Sequence, residues 1–255
     1  MSGKGGPIRV VAAKDGYQED ALQLALGYVA AVLKARPNLD PDVVLLTHTK
    51  QQLSSTSLAS MMGQAAAKAL SSGKRVGTPV GQIRHATLRT LGYSVRNSII
   101  IAFYADEKML DELDSKPGAA AIIAVPHQEG DASTWAQRWN ATIRGQAKTA
   151  PAPLIADHVV ASAMKTLTLL SNTSYGSIHP RDVQHANETF RILRNKGHDL
   201  DPDQIKSWAI REGWHPGAAT EAAKIAGKVR GLKSKPSVSG FHDPNGRYER
   251  WKSGE

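Results

Sequence analysis

The densest run of chemistry-bearing side chains in the sequence is Thr47, His48, Thr49 and Lys50. Two hydroxyls, an imidazole and an ammonium occupy four consecutive positions, and Ser54, Ser55 and Thr56 follow at the expected start of the next helix. A helix N-terminus leaves backbone N–H groups free and favours negative charge. Thr47, Thr49, Lys50, Ser54 and Ser55 are therefore candidate phosphate ligands. His48 is the candidate catalytic group, because an imidazole titrates in the range that general acid–base chemistry needs. The competing reading is ordinary helix capping beside a surface lysine. A nucleophilic arrangement of Ser54 or Ser55 with His48 and an acid such as Asp15 or Asp106 would have to work without a G-x-S-x-G elbow, which the chain lacks.

Charge gives a second signal. The chain has 32 Lys plus Arg against 23 Asp plus Glu, a formal net charge of +9. No carboxylate occurs between Asp42 and Asp106, whereas Lys50, Lys68, Lys74, Arg75, Arg84, Arg89 and Arg96 all fall there. Lys224, Lys228, Arg230, Lys233 and Lys235 form another acid-free run. Lys74, Arg75, Arg84, Arg89, Lys224, Lys228 and Arg230 are the candidate nucleic-acid contacts, with phosphate neutralisation as the physical basis. Two solvated basic faces would look the same.

Other chemistries are excluded by what is missing. Without cysteine there is no disulfide, thiol nucleophile, iron–sulfur cluster or Cys-based zinc site. The nine histidines include no H-x-H, H-E-x-x-H or H-x-x-E-H, so no metal ligand is assigned. Gly3, Gly5 and Gly6 precede the first strand, where a phosphate loop must follow one, and no G-x-G-x-x-G occurs. No cofactor is assigned. The longest apolar runs, 99–105 and 119–126, fall far short of the ~20 residues that span a bilayer. No apolar signal region follows Lys4, and a cytoplasmic protein with no membrane partner is expected.

These side chains must be positioned by elements the pattern also predicts. Four apolar, β-branched runs at 8–12, 43–47, 98–104 and 120–125 alternate with helical periodicity. Runs without polar alternation belong to strands covered on both faces. The expectation over 1–148 is a Rossmann-like three-layer α/β domain with a mainly parallel sheet. In such sheets ligands bind beyond the carboxyl ends of the strands. That rule places Lys14, Asp15, the 47–50 run, Tyr104, Asp106, His127 and Glu129 on one edge. The segment 86–91 fits neither period, Trp135 and Trp139 read as a packed helix face, and Asp111, Glu112 and Asp114 read as a solvated helix surface.

An Ala/Pro-rich linker is expected at 149–153, then a small all-α module over 154–233 and a polar tail over 234–255. Pro180, Pro202 and Pro216 each suit the first position of a helix. Val183, Ala186, Phe190 and Leu193 form one apolar stripe, and Ala222, Ile225, Ala226, Val229 and Leu232 another.

Two short resemblances accompany this reading. The strand and helix over 43–70, with Thr47-His48-Thr49-Lys50 between them, resemble a strand and helix of a RecA-like helicase half. Ile205-Lys206-Ser207-Trp208-Ala209-Ile210-Arg211-Glu212-Gly213 is similar to the helix-turn-helix end of certain bacterial nucleoid-associated DNA-binding proteins. That family's Arg-Gly-Arg is replaced here by Trp214, His215, Pro216 and Gly217, and neither likeness extends beyond about a tenth of the chain. The functional expectation is a phosphate-recognising protein. It would bind a nucleotide or a nucleic-acid backbone through the first domain and carry a helical DNA- or protein-binding module. Its alternative is a non-enzymatic adaptor. Whether the protein is an enzyme is left open by the sequence.

Overall fold

A computed structural model describes residues 6–143 and 150–254. The chain divides into two compact units, Met1–Ala150 and Pro151–Glu255. The start of the expected linker, Thr149, lies outside the described residues.

The first unit is built on β1 (Ile8–Val11), β2 (Val43–Thr47), β3 (Val76–Thr78), β4 (Gly81–Thr87), β5 (Ile99–Ala105), β6 (Ala121–Pro126) and β7 (Thr142–Ile143). They form one sheet in the order β3-β4-β2-β5-β6-β1-β7, in which only the β3–β4 pairing is antiparallel. Every residue of β2, β5 and β6 is buried. Their predominantly Val/Ile/Leu/Ala composition follows from that position, because both faces of a central parallel strand are covered.

Alternate residues of each strand enter two different cores. Leu45, Ile99, Ile101, Phe103 and Ile123 face α1 (Ala21–Ala35), α3 (Ser57–Met62) and α4 (Gln64–Ser71), while Leu46, Ile100, Ala102 and Ile122 face α5 (Glu107–Asp114) and α6 (Ser133–Trp139). A short α2 (Gln52–Ser55) precedes α3. At roughly 1.5–3 kcal/mol per buried aliphatic side chain, these two layers supply most of the force that orders the sheet. The layer assignment matters for function. The connections after β1 and β2 pass over the first face and those after β5 and β6 over the second, so the wrapping direction reverses between β2 and β5 and again between β6 and β1.

β3 and β4 go beyond the four strands expected. The ambiguous stretch 86–91 is the end of β4 and a turn closed by Leu91 N–H on the Thr87 carbonyl at 2.8 Å. β4 escaped the pattern because Gln82, Arg84 and His85 interrupt it; it is half-buried near the sheet edge, where only Ile83 and Ala86 are fully covered.

The second unit contains α7 (His158–Leu170), α8 (Pro180–Asn195), α9 (Pro202–Arg211), α10 (Pro216–Arg230) and α11 (Pro244–Ser253). Proline stands at the first position of the last four, where its missing N–H costs nothing. Asp201 caps α9 by accepting from the Asp203 and Gln204 N–H groups, and the imidazoles of His179 and His215 cap α8 and α10 in the same way. Ile205, Trp208, Trp214, Phe190, Ala222 and Ala226 are buried together, but Val183 is 37% exposed and leaves the stripe assigned to it. The polar tail needs correction. Residues 244–253 form α11, Trp251 is buried, and Arg247 reaches Glu188 at 3.0 Å and Thr189 at 3.1 Å. Trp251 and Arg247, together with Tyr248 on His198 at 3.1 Å and Asn245 on Lys196 at 2.9 Å, dock a segment whose overall composition is that of a loop.

Candidate functional site

The carboxyl edge of the sheet collects polar groups from four strands at the two reversals. At the β2/β5 reversal, the His48 Nε2–H donates to the Tyr104 carbonyl at 3.1 Å and lies 3.5 Å from Asp106 Oδ2. A carbonyl can only accept, so this contact puts a proton on Nε2 and leaves Nδ1 as the ring nitrogen not engaged by the Tyr104 carbonyl. Asp106 is itself fixed as the cap of α5, accepting from the Met109 N–H at 2.7 Å.

At the β6/β1 reversal, the Tyr17 hydroxyl and His127 Nε2 are 2.8 Å apart, and His127 Nδ1 lies 3.7 Å from Asp131 Oδ2. A cavity of about 430 Å³ lies beside this pair, lined by Lys14, Asp15, Gln18, Glu129 and Ser133 among others and not by Tyr17 or His127.

Tyr104 joins the two halves. Its φ is 58°, and among the described non-glycine residues with positive φ the others are Asn or Asp, which tolerate that region far better than an aromatic residue does. The strain sits at a register shift between Phe103 and Ala105, where β5 leaves regular pairing with β6. Three contacts hold it in place. The phenol oxygen sits 2.9 Å from Ser57 Oγ and accepts the Leu58 N–H at 3.2 Å, while the ring packs against Gly16, where an added Cβ would lie 2.5 Å from Cδ1. The resulting backbone twist turns the Tyr104 carbonyl toward His48. The ring, on its other side, lies 5.5 Å from Tyr17 and 6.1 Å from His127.

The expected phosphate ligands are dispersed by comparison. Thr47 is buried, its hydroxyl donating to the Thr49 carbonyl at 2.7 Å while the His85 Nε2–H donates to Thr47 Oγ1 at 2.8 Å. Burial, helped by the Lys50 charge, pushes the His85 imidazole down to about 4 and keeps it neutral in this pair. Ser54 and Ser55 stand at the end of α2 and donate to the Gln51 carbonyl at 3.1 and 2.9 Å, so no helix N-terminus presents them to an anion. The Thr49 N–H is used by Gln52 Oε1 at 3.0 Å. Lys50 is exposed on the same edge as His48.

Residues 156–252 match the model of a family described as a domain of unknown function (DUF1889). The matched segment takes in α7 to α11 and leaves the first unit, with this edge, outside it. No curated protein and no solved structure matches the chain.

The candidate nucleic-acid contacts fall in both units. Arg84 Nε and Arg75 Nη2 bind the same carboxylate, Asp42, at 2.6 and 3.0 Å, and Arg230 binds Asp199 at 2.9 Å. Lys74, Arg89, Lys224 and Lys228 are exposed. Asp42, at the border of the acid-free stretch, thus pairs with two of its basic groups and offsets one of their two charges. No helix among the described residues is long and apolar enough to cross a membrane, and these residues hold no group of three or more metal-ligating side chains.

The residues that sequence reasoning missed are Tyr17, Ser57 and the positioning role of Tyr104. Asp15-Gly16-Tyr17 directly after a strand was the available signal, since a glycine there marks close approach of another chain segment. Asp114 needs the opposite correction. Its side chain is wholly buried, accepting from Trp139 Nε1 at 2.8 Å, Trp135 Nε1 at 3.1 Å, and Arg9 and Arg138 at 3.3 Å each.

Proposed function

We propose that the first unit is a Rossmann-like domain that binds a phosphate-bearing small molecule, a nucleotide, along the carboxyl edge of its sheet, with His48 as its acid–base group. The observation that carries this reading is the His48–Asp106 pair at a point where the wrapping direction reverses, held by the strained Tyr104 carbonyl. Strain of this kind persists where surrounding structure over-determines it and concentrates at functional sites. Lys50 supplies the positive charge a phosphate needs, and Asp15, Gln18 and Glu129 supply acceptors suited to sugar hydroxyls in the neighbouring cavity. Arg75 and Arg84 are committed to Asp42, which favours a small anion over a nucleic-acid backbone.

The test is thermal stabilisation of the full chain by nucleoside mono-, di- and triphosphates, with inorganic phosphate as control. Ligand at about 100 times Kd should add about 2.7 kcal/mol. Lys50→Ala should remove that gain while leaving the unliganded protein unchanged, and His48→Gln should retain it. A wild-type protein that no nucleotide stabilises refutes the reading.

A second reading concerns the helical unit alone. Leu169, Leu170 and Tyr175 are 86%, 59% and 67% exposed, which suits a protein-docking face. Replacing both leucines with lysine should abolish capture of any protein that the wild-type chain retains and leave the melting temperature unchanged; retention of the same protein by the variant would refute it.

A further inference from the structure

We propose that Tyr17 is a catalytic general acid and that the substrate is a phosphate monoester with an alkyl leaving group, of the nucleoside 5′-phosphate class. This rests on the nucleotide-binding reading and adds a reaction to it.

The Tyr17 phenol is built into place. Its backbone N–H donates to Asp15 Oδ1 at 2.9 Å, closing the turn after β1, and its ring packs tilted against Tyr104 and edge-on to His127, at 5.5 and 5.3 Å between centroids. The residue is nonetheless 54% exposed, so a ligand in the crevice can meet the hydroxyl.

Behind it stands the His127 imidazole. The His127 main chain is held by its backbone N–H on the Ala105 carbonyl at 3.0 Å, and the ring places Nδ1 3.7 Å from Asp131 Oδ2, which is itself anchored by the Gln128 N–H at 2.9 Å. His127 Nδ1 faces Asp131 and Nε2 faces the phenol oxygen at 2.8 Å, so a proton can pass between the ring and Tyr17 along this bond. The other charged groups around this end of the sheet are Lys14, which is paired with Asp20 at 2.6 Å, and the Asp15 and Glu129 carboxylates that line the cavity.

The separation of the two imidazoles gives each a different task. His48 belongs to the β2/β5 gap and Tyr17–His127 to the β6/β1 gap, two strand spacings or roughly 10 Å along the edge. That leaves room for a phosphoryl group between a base and an acid. His48 Nδ1 takes a proton from water as the water oxygen bonds to phosphorus. The ester P–O bond breaks, its electron pair passes to the leaving oxygen, and that oxygen takes the Tyr17 phenol proton. His127 Nε2 returns a proton to the phenolate, and inorganic phosphate and the alcohol depart.

The reaction is read as phosphate release from adenosine 5′-monophosphate and from para-nitrophenyl phosphate, whose leaving group needs no proton. Tyr17→Phe should lower kcat for the nucleotide about 10²- to 10⁴-fold with little change in KM, and change the aryl ester only a few-fold. His127→Gln should follow the same pattern more weakly. A merely structural role would lower both substrates alike, and that result, or full nucleotide activity in Tyr17→Phe, overturns the proposal. Wild-type protein that nucleotides stabilise but that releases no phosphate also overturns it while leaving the binding reading intact. Absence of both stabilisation and release removes both.

Discussion

Asp114 offers a quantitative test of how the first unit is held together. Its carboxylate is fully buried between Arg9 on β1, Arg138 on α6 and the indoles of Trp135 and Trp139, and the Arg138 side chain is fully buried too. The Arg9 guanidinium stacks over Trp139, 3.6 Å from the ring centroid. Asp114→Ala leaves two guanidinium groups facing a void, with Asp111, 2.7 Å from Arg138, as the nearest remaining carboxylate. Breaking a buried pair by removing one member costs about 3–5 kcal/mol. Asp114→Asn keeps the shape and an accepting oxygen and should cost less, about 1–3 kcal/mol.

The pH dependence discriminates further. Burial outweighs the attraction of the two arginines and pushes the Asp114 carboxyl above its ordinary value of 3.8. A carboxyl raised on folding contributes stability that is fully present below its unfolded pKa and is lost as pH rises through its folded pKa. The deficit of Asp114→Asn relative to wild type should therefore shrink as pH rises above about 4. Urea unfolding read by hydrogen exchange over β1 and α6 reports the first unit alone. A cost for Asp114→Ala below about 1 kcal/mol, or an Asn deficit that grows with pH, would refute the argument.

Three other outcomes follow from particular contacts. Gly16→Ala should drive the Tyr104 ring from its seat, costing about 1–3 kcal/mol and weakening nucleotide stabilisation, because the displaced carbonyl no longer holds His48; unchanged melting and ligand response would count against the Tyr104 clamp. His85, lowered from 6.5 to about 4, contributes stability present above its unfolded pKa and lost as pH falls toward the folded one. Discounted for its partial exposure this is about 1–2 kcal/mol, and His85→Gln should flatten the urea midpoint between pH 7 and 4.5. Trp251→Ala should cost the second unit about 3–5 kcal/mol and expose α11 amides to exchange, whereas unaltered exchange would show that the helix docks without it.

The fold was legible where burial is uniform. β2, β5 and β6 read as strands because no position along them meets water, and the helices starting at Pro180, Pro202 and Pro216 begin at those residues because the preceding His or Asp also caps. It was illegible where burial is local. β4 keeps only Ile83 and Ala86 covered, and α11 is held by Trp251 and Arg247 within an otherwise polar run. Asp114 misled for a related reason. Three acids within four positions look solvated, and nothing in their spacing shows that Arg9, more than a hundred residues earlier, lies beside the helix.

The same logic explains the site. Its location at the strand ends is a property of the topology and could be read from alternating strands and helices, which is why His48, Asp106, Tyr104 and His127 share one edge of the sheet. Its pairings are not local in sequence. Tyr17 meets His127 across 110 positions and His48 meets the Tyr104 carbonyl across 56. By contrast, the run of Thr47, Ser54 and Ser55 drew notice because its members are close in sequence. Closeness favours local bonds: Thr47 with Thr49 and both serines with Gln51. Short hydroxyl residues near one another satisfy their own backbone first, whereas Tyr17, His127 and His48 find their partners on distant strands.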